Sequence, residues 1–127
     1  MKSYDARRDL GQRGERAAED FLRNQGYLVI AKNYRSPYGE IDLIAFDRQT
    51  IVFVEVRTQS GEKFGDPVAS VNWRKQKQIA RTALYYLMRH GAMQDREARF
   101  DVVGIRWGKD GEQFVSHIKE AFELPWS

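Results

Sequence analysis

Two apolar runs, Gly39-Glu40-Ile41-Asp42-Leu43-Ile44-Ala45-Phe46 and Ile51-Val52-Phe53-Val54-Glu55-Val56-Arg57, are joined by the polar tetrapeptide Asp47-Arg48-Gln49-Thr50. So short a polar link between two such runs predicts a β-hairpin. With Arg48 and Gln49 at the tip, Asp47 faces Thr50, Asp42 faces Glu55 and Glu40 faces Arg57. Side chains alternate along a strand, so Glu40, Asp42, Glu55 and Arg57 project to one side. Ile41, Leu43 and Ala45 meet Val52, Val54 and Val56 on the other face. Ile44, Phe46, Ile51 and Phe53 make the charged side apolar further along. A hairpin apolar on both faces has to be covered on both, which calls for a layered fold.

The covering elements are legible as helical stripes. Leu10, Gly14, Ala17, Ala18, Phe21 and Leu22 share one face of a helix over Asp9 to Gln25, which Gly26 ends. Asn72 is an N-cap for a second helix from Trp73 to Arg89, with Ile79, Ala80, Ala83, Tyr86 and Leu87 as its apolar stripe and Gly91 after it. Tyr27 to Ala31 reads as a strand, and Asn33 to Pro37 as a polar loop. Thr58 to Pro67, with Gly61 and Gly65, reads as a second loop. Strands at Arg99 to Trp107 and Gln113 to Lys119 meet at a Lys109-Asp110-Gly111 turn. The order αβββαββ predicts an α/β or α+β sandwich, helices packed on a mixed sheet. No repeat or linker interrupts it, so residues 1–127 read as a single domain.

Several classes are excluded. The longest apolar runs are a few residues, far below a membrane span. Met1 to Leu10 lacks the apolar stretch of a signal peptide, which leads to the expectation of a cytoplasmic protein. With 0 cysteines there is no disulfide, thiol nucleophile or thiolate metal site. Any metal must sit among carboxylates, the two histidines or backbone oxygens, which favours a hard ion such as magnesium. The net charge of +3 permits a polyanionic partner without demanding one.

Asp42 opposite Glu55 is the pair that needs a chemical reason. Directly opposed like charges destabilise a sheet, and a shared divalent cation removes that cost. Glu40 with Arg57 has a simpler reading as a cross-strand ion pair. Glu15 flanks the apolar stripe of the first helix, where it either reaches the sheet or stays solvated, and Glu19 reads as a surface charge. Gln76 lies on the apolar stripe of the second helix, so it either serves the site or hydrogen-bonds the preceding loop. Arg74, Gln78, Arg81 and Arg89, with Lys77 beside them, form a basic stripe that suits phosphates or simply a solvated face. His90 suits a helix C-terminus, and His117 stands alone in a strand; both read as structural. Trp107, Trp126 and Phe122 read as packing or a subunit contact.

Gly39-Glu40-Ile41-Asp42-Leu43-Ile44-Ala45 followed by Phe53-Val54-Glu55-Val56-Arg57-Thr58 resembles the split acidic motif of restriction-endonuclease-like nucleases, written PD-(D/E)xK. Gly14-Glu15-Arg16-Ala17-Ala18-Glu19 and Arg74-Lys75-Gln76 narrow the resemblance to the YraN family of bacterial proteins, which is similar to Holliday-junction resolvases. The likeness runs from Gly11 to Val103. It implies a restriction-endonuclease-like fold, a central mixed sheet flanked by helices. It also implies Asp42, Glu55 and Glu15 as ligands of magnesium or manganese, with the Val56 carbonyl adding an oxygen. Gln76 would orient the water, and the reaction would be hydrolysis of DNA, branched or a repair intermediate, by in-line attack. A homodimer would match the two-fold symmetry of a junction. The chain departs from the motif at one position, where Arg57 replaces the catalytic lysine. Arginine stays protonated and cannot act as a base, but it can hold a phosphate or stabilise charge in the transition state. Two alternatives follow: a relative that binds nucleic acid in the same cleft without turnover, and an interaction adaptor that keeps the fold for its core.

Overall fold

Apolar side chains on both faces of the central hairpin draw one helix onto each side of a sheet. The computed structural model describes residues 6–60, 65–91 and 95–123. They form α1 (Ala6–Asn24), β1 (Leu28–Ser36), β2 (Gly39–Asp47), β3 (Thr50–Ser60), α2 (Trp73–Arg89), β4 (Ala98–Trp107) and β5 (Gln113–Phe122). The sheet order is β1-β2-β3-β4-β5. β3 and β4 are parallel and the other neighbours antiparallel. A parallel pair needs a crossover, and α2 lies in it. The expected order αβββαββ and the mixed sheet with helices packed on it are what the chain adopts.

Two cores result. On one face Ile44, Ile51, Phe53 and Phe100 pack with Ile79, Ala83, Tyr86 and Leu87 of α2. On the other, Leu43, Ala45, Val52 and Val54 pack with Ala18 and Leu22 of α1. Residues 51–56 of β3 are buried throughout, as expected of the middle strand with a helix on each side. Removing Phe53 to Ala here would cost about 3–5 kcal/mol through the cavity it leaves. α1 approaches β3 closely at Gly14, where a Cβ would run into the Thr58 side chain. At the start of α2, the Asn72 side chain accepts from Lys75 N at 2.9 Å, as a cap does.

The structure corrects three sequence readings. The polar segment after Ala31 is strand as far as Ser36, because its backbone pairs with β2 from Lys32↔Leu43 to Ser36↔Gly39. Thr58 to Ser60 likewise continue β3 by pairing with β4, and residues 61–64 of the expected loop lie outside the described residues. Ile41 packs against the α2 core, not with Leu43 and Ala45. Regular alternation is lost between them, beside Asn33, whose φ of 51° takes the backbone into the left-handed region. The side chains around Asp42 are therefore not a plain continuation of the hairpin.

Candidate functional site

The hairpin register is the one the turn implies. Asp47 pairs with Thr50, and the ladder continues through Leu43↔Val54. It stops there. Asp42 and Glu55, next in register, are not a ladder pair; Asp42 Oδ2 accepts from the Val56 backbone N–H at 2.8 Å. That bond satisfies a donor of β3 at the point where β2 leaves it. Glu55 occupies the position after Phe53 on the α2 side of β3 and is 5% exposed. The two carboxyl groups still come close enough to share a hydrogen bond.

Their environment raises both acids. Burial first, then the charge of Asp42, pushes Glu55 up to about 8, against the opposing pull of Lys75 and Arg57. Burial also raises Asp42, with the Val56 N–H and Lys75 working the other way. Without a cation, burial and the mutual approach of the two carboxyls favour a proton held by the pair over ionisation of both. A hard divalent ion takes the same place in charge terms, so this donor set fits magnesium or manganese. Among the described residues, no group of three or more His, Asp or Glu side chains is arranged to hold an ion. The fit rests on the two carboxylates alone.

Glu15 comes from α1 to the same place. Burial raises its carboxyl, and the charge of Asp42 adds to the effect. Asn33 holds it: with the amide nitrogen turned toward the acids, Asn33 donates to Glu15 Oε2 at 3.1 Å and to Glu40 Oε1 at 3.0 Å. The left-handed backbone at Asn33 is what sets that amide between the two glutamates. Glu40 does not pair with Arg57. Its ion-pair partner is Arg35, at 3.9 Å and exposed, because β2 and β3 have parted before the Glu40–Arg57 level.

Arg57 turns along its own strand. Its Nη2 donates to the Ser70 carbonyl at 3.1 Å, and its Nε lies 3.8 Å from Glu55 Oε1. The Nε is buried and makes no hydrogen bond among the described residues, beside the acids. Lys75, in the first turn of α2, brings its Nζ within 3.9 Å of the same Glu55 oxygen. It was given no role from sequence. Its spacing could have shown it, since Lys75, Ile79 and Tyr86 lie along the sheet-facing edge of α2. Asn33 left no comparable signal.

The other candidate residues have partners or positions of their own. Gln76 Nε2 donates to the Val71 carbonyl at 2.9 Å, holding the loop before α2. Arg74, Lys77 and Arg81 are exposed on α2. Glu19 is ion-paired with Arg23 and Lys32. His117 is not alone: its Nε2 lies 2.7 Å from Asp101, a fully buried carboxylate that also receives Arg99 at 2.9 Å and the Glu120 N–H at 3.2 Å. Trp107 packs in the α1 core under Arg13, Phe122 stacks on Phe100, and Trp126 lies outside the described residues. No helix among the described residues is long and apolar enough to cross a membrane.

The model of the uncharacterised protein family UPF0102 matches residues 14–105, which contain Glu15, Asp42, Glu55, Arg57 and Lys75. A UPF0102 protein of Moorella thermoacetica is 48% identical over 118 residues, covering 91% of this chain and 97% of the relative. One of Desulfosudis oleivorans is 45% identical over 117 residues, 92% of each. One of Geotalea uraniireducens is 42% identical over 128 residues, 99% of this chain and all of the relative.

Proposed function

This chain belongs to the UPF0102 family, the YraN family of the resemblance, and we propose that it is a magnesium- or manganese-dependent endonuclease acting on DNA, branched or a repair intermediate. The observation that carries this reading is the Asp42–Glu55 pair, two carboxyls raised by burial, Glu55 also by the charge of Asp42, at a break in the hairpin. When bound, the ion supplies Lewis-acid activation of water and charge neutralisation at the phosphodiester. Asp42 and Glu55 hold it, and the Val56 N–H fixes which Asp42 oxygen remains free. Glu15 adds negative charge from α1 and is oriented by Asn33. Arg57 offers the accessible part of its half-buried guanidinium to the phosphate, and Lys75 balances the charge of Glu55. Gln76 orients the water from the oxygen end of its amide, its nitrogen being held by Val71. Arg74, Lys77 and Arg81 take phosphates away from the point of cleavage. The protein works in the cytoplasm, as a homodimer where the substrate is a two-fold junction.

A second reading has one observation in its favour. Arg57 is permanently charged and anchored to Ser70, so the site contains no lysine at the motif position to help activate water. A binder without turnover would look the same. Cleavage of labelled branched and linear DNA with magnesium or manganese, wild type against Asp42→Ala, tests both. Metal-dependent cutting lost in the variant supports the endonuclease. Retained binding with no cutting replaces it by the binder.

A further inference from the structure

α2 contains no Asp or Glu, and its first turn carries Arg74 and Lys75. Cations at a helix N-terminus work against the dipole; Lys75 is offset by Glu55 at 3.9 Å, while the exposed Arg74 is favourable there when an anion covers it. The outward face of α2 then changes character along its length. Trp73, 71% exposed, stands at the start, and the exposed Arg74, Lys77 and Arg81 follow at helical spacing. Leu84 and Met88, 41% and 67% exposed, continue the stripe. There Tyr38 of the β1–β2 turn folds over Tyr85, with ring centroids 6.2 Å apart and planes at 71°. Tyr38, Arg81, Leu84, Tyr85, Met88 and Arg89 line a groove of about 490 Å³. Arg89 lies over the Tyr85 ring at 5.2 Å.

From this we infer that the outward face of α2 is a track for unpaired DNA, with phosphates on the arginines and a splayed base in the Tyr38–Tyr85 corner. The inference rests on the DNA reading of the Asp42–Glu55 site and narrows its substrate to DNA with a single-stranded segment. Lys75 to Met88 spans about 20 Å at the rise of an α-helix, so the corner is within reach of a strand held at the metal pair. A duplex presents phosphates and base edges but keeps its stacking faces covered. A concave aromatic corner flanked by arginines has use only for a base taken out of a stack. A second copy of the chain fits this groove poorly. An isologous contact would face Arg81 and Arg89 with their own copies, and among the described residues no acidic side chain lines the groove to offset them.

The test is fluorescence anisotropy of the full chain with labelled oligothymidylate and with a duplex of equal length, in chelator so that nothing is cut. Wild type should bind the single strand more tightly. Tyr85→Ala and Tyr38→Ala should each weaken the single strand by about fivefold or more and leave the duplex unchanged. Tyr85→Phe should retain binding, since the ring remains. Should Tyr85→Ala fail to fold, Tyr38→Ala reads the same corner from an exposed turn. Equal binding of the two DNAs, or tyrosine variants that leave the single strand unaffected, overturns the inference. So does a wild-type dimer by light scattering that the tyrosine variants dissolve, which would give the groove to a second copy. If neither DNA binds, the inference falls together with the DNA reading. Preferential single-strand binding without metal-dependent cleavage supports the track and removes only the hydrolytic reading.

Discussion

The Val56 backbone N–H donates to Asp42 Oδ2 at 2.8 Å, one step beyond the last ladder pair of β2 and β3, Leu43↔Val54. A side chain thus takes over a backbone bond where the strands part. The opening leaves Glu55 buried beside Asp42, with Arg57 at 3.8 Å and Lys75 at 3.9 Å. The substitution Asp42→Asn keeps an acceptor for Val56 and removes the charge that raises Glu55. Metal-dependent cleavage and magnesium affinity should be lost. The Glu55 carboxyl should titrate below its wild-type value of about 8, read by carbon NMR of labelled glutamate. An unchanged Glu55 titration would show that Asp42 carries no charge in the wild type.

Glu55 also sets a pH dependence. Its carboxyl moves from an ordinary 4.5 to about 8 on folding. Between those values the folded chain keeps a proton that the unfolded chain has released, so stability falls as pH rises through the window and levels beyond it. The limiting slope for one such proton is about 1.4 kcal/mol per pH unit. Thermal melts in chelator should show the decline, and Glu55→Gln should flatten it. Magnesium added at the alkaline end should restore the melting temperature, because the ion replaces the lost proton.

Much of this site was legible before any coordinates. The turn Asp47-Arg48-Gln49-Thr50 fixed the register, and the register brought Asp42 and Glu55 together. Register describes ideal strands, however, and says nothing of where a ladder stops. The Glu40–Arg57 pair failed for that reason: the strands had already separated. Ile41 changed faces for a related one, the irregularity beside Asn33. Lys75 was hidden because a lysine among Arg74, Gln76 and Lys77 reads as one more surface charge. His117 looked solitary because its partner Asp101 is sixteen residues away on the neighbouring strand, and pairing across β4 and β5 is invisible to local pattern.

Asp101 makes a prediction away from the site. Burial alone would raise its carboxyl, but His117 and Arg99 hydrogen bonds and the Arg99 charge bring it below the ordinary 3.8. Arg99 in turn reaches Asp47 at 3.0 Å and the Tyr27 hydroxyl at 2.6 Å. Asp101→Ala removes the buried carboxylate from Arg99, which keeps Asp47 and Tyr27, and should cost about 3 kcal/mol, the lower end for a broken buried pair. Denaturant unfolding measures this. The wild-type contribution should be present above the ordinary value and vanish as pH falls through the folded one.

Gly14 links α1 to the site. A Cβ at this position meets Thr58 Oγ1 and Cγ2, so Gly14→Ala must push the helix off β3. The expected loss is about 1–3 kcal/mol from overpacking. Glu15, the next residue, moves with the helix, so Asn33 and Asp42 lose their neighbour. Adding Thr58→Ala removes both clashing atoms and should recover most of the loss. The double-mutant cycle measures that coupling, and additive penalties would place the strain elsewhere.

Arg57 is the residue on which turnover depends. As arginine it cannot release a proton, and its Nη2 is tied to Ser70 while its Nε faces Glu55 at 3.8 Å, without a hydrogen bond among the described residues. Arg57→Lys gives up the Ser70 bond, at a cost of about 1 kcal/mol for one lost hydrogen bond. In exchange it places near Glu55 an amine able to orient or help activate water. Cleavage under single-turnover conditions should rise with Arg57→Lys, most at alkaline pH, while DNA affinity changes little because the positive charge is kept. Arg57→Met separates the two roles by removing the charge, and should weaken both binding and cleavage. A fall in rate with Arg57→Lys would mean that the planar guanidinium itself serves the transition state, and that the replacement of lysine in this chain is an adaptation for turnover.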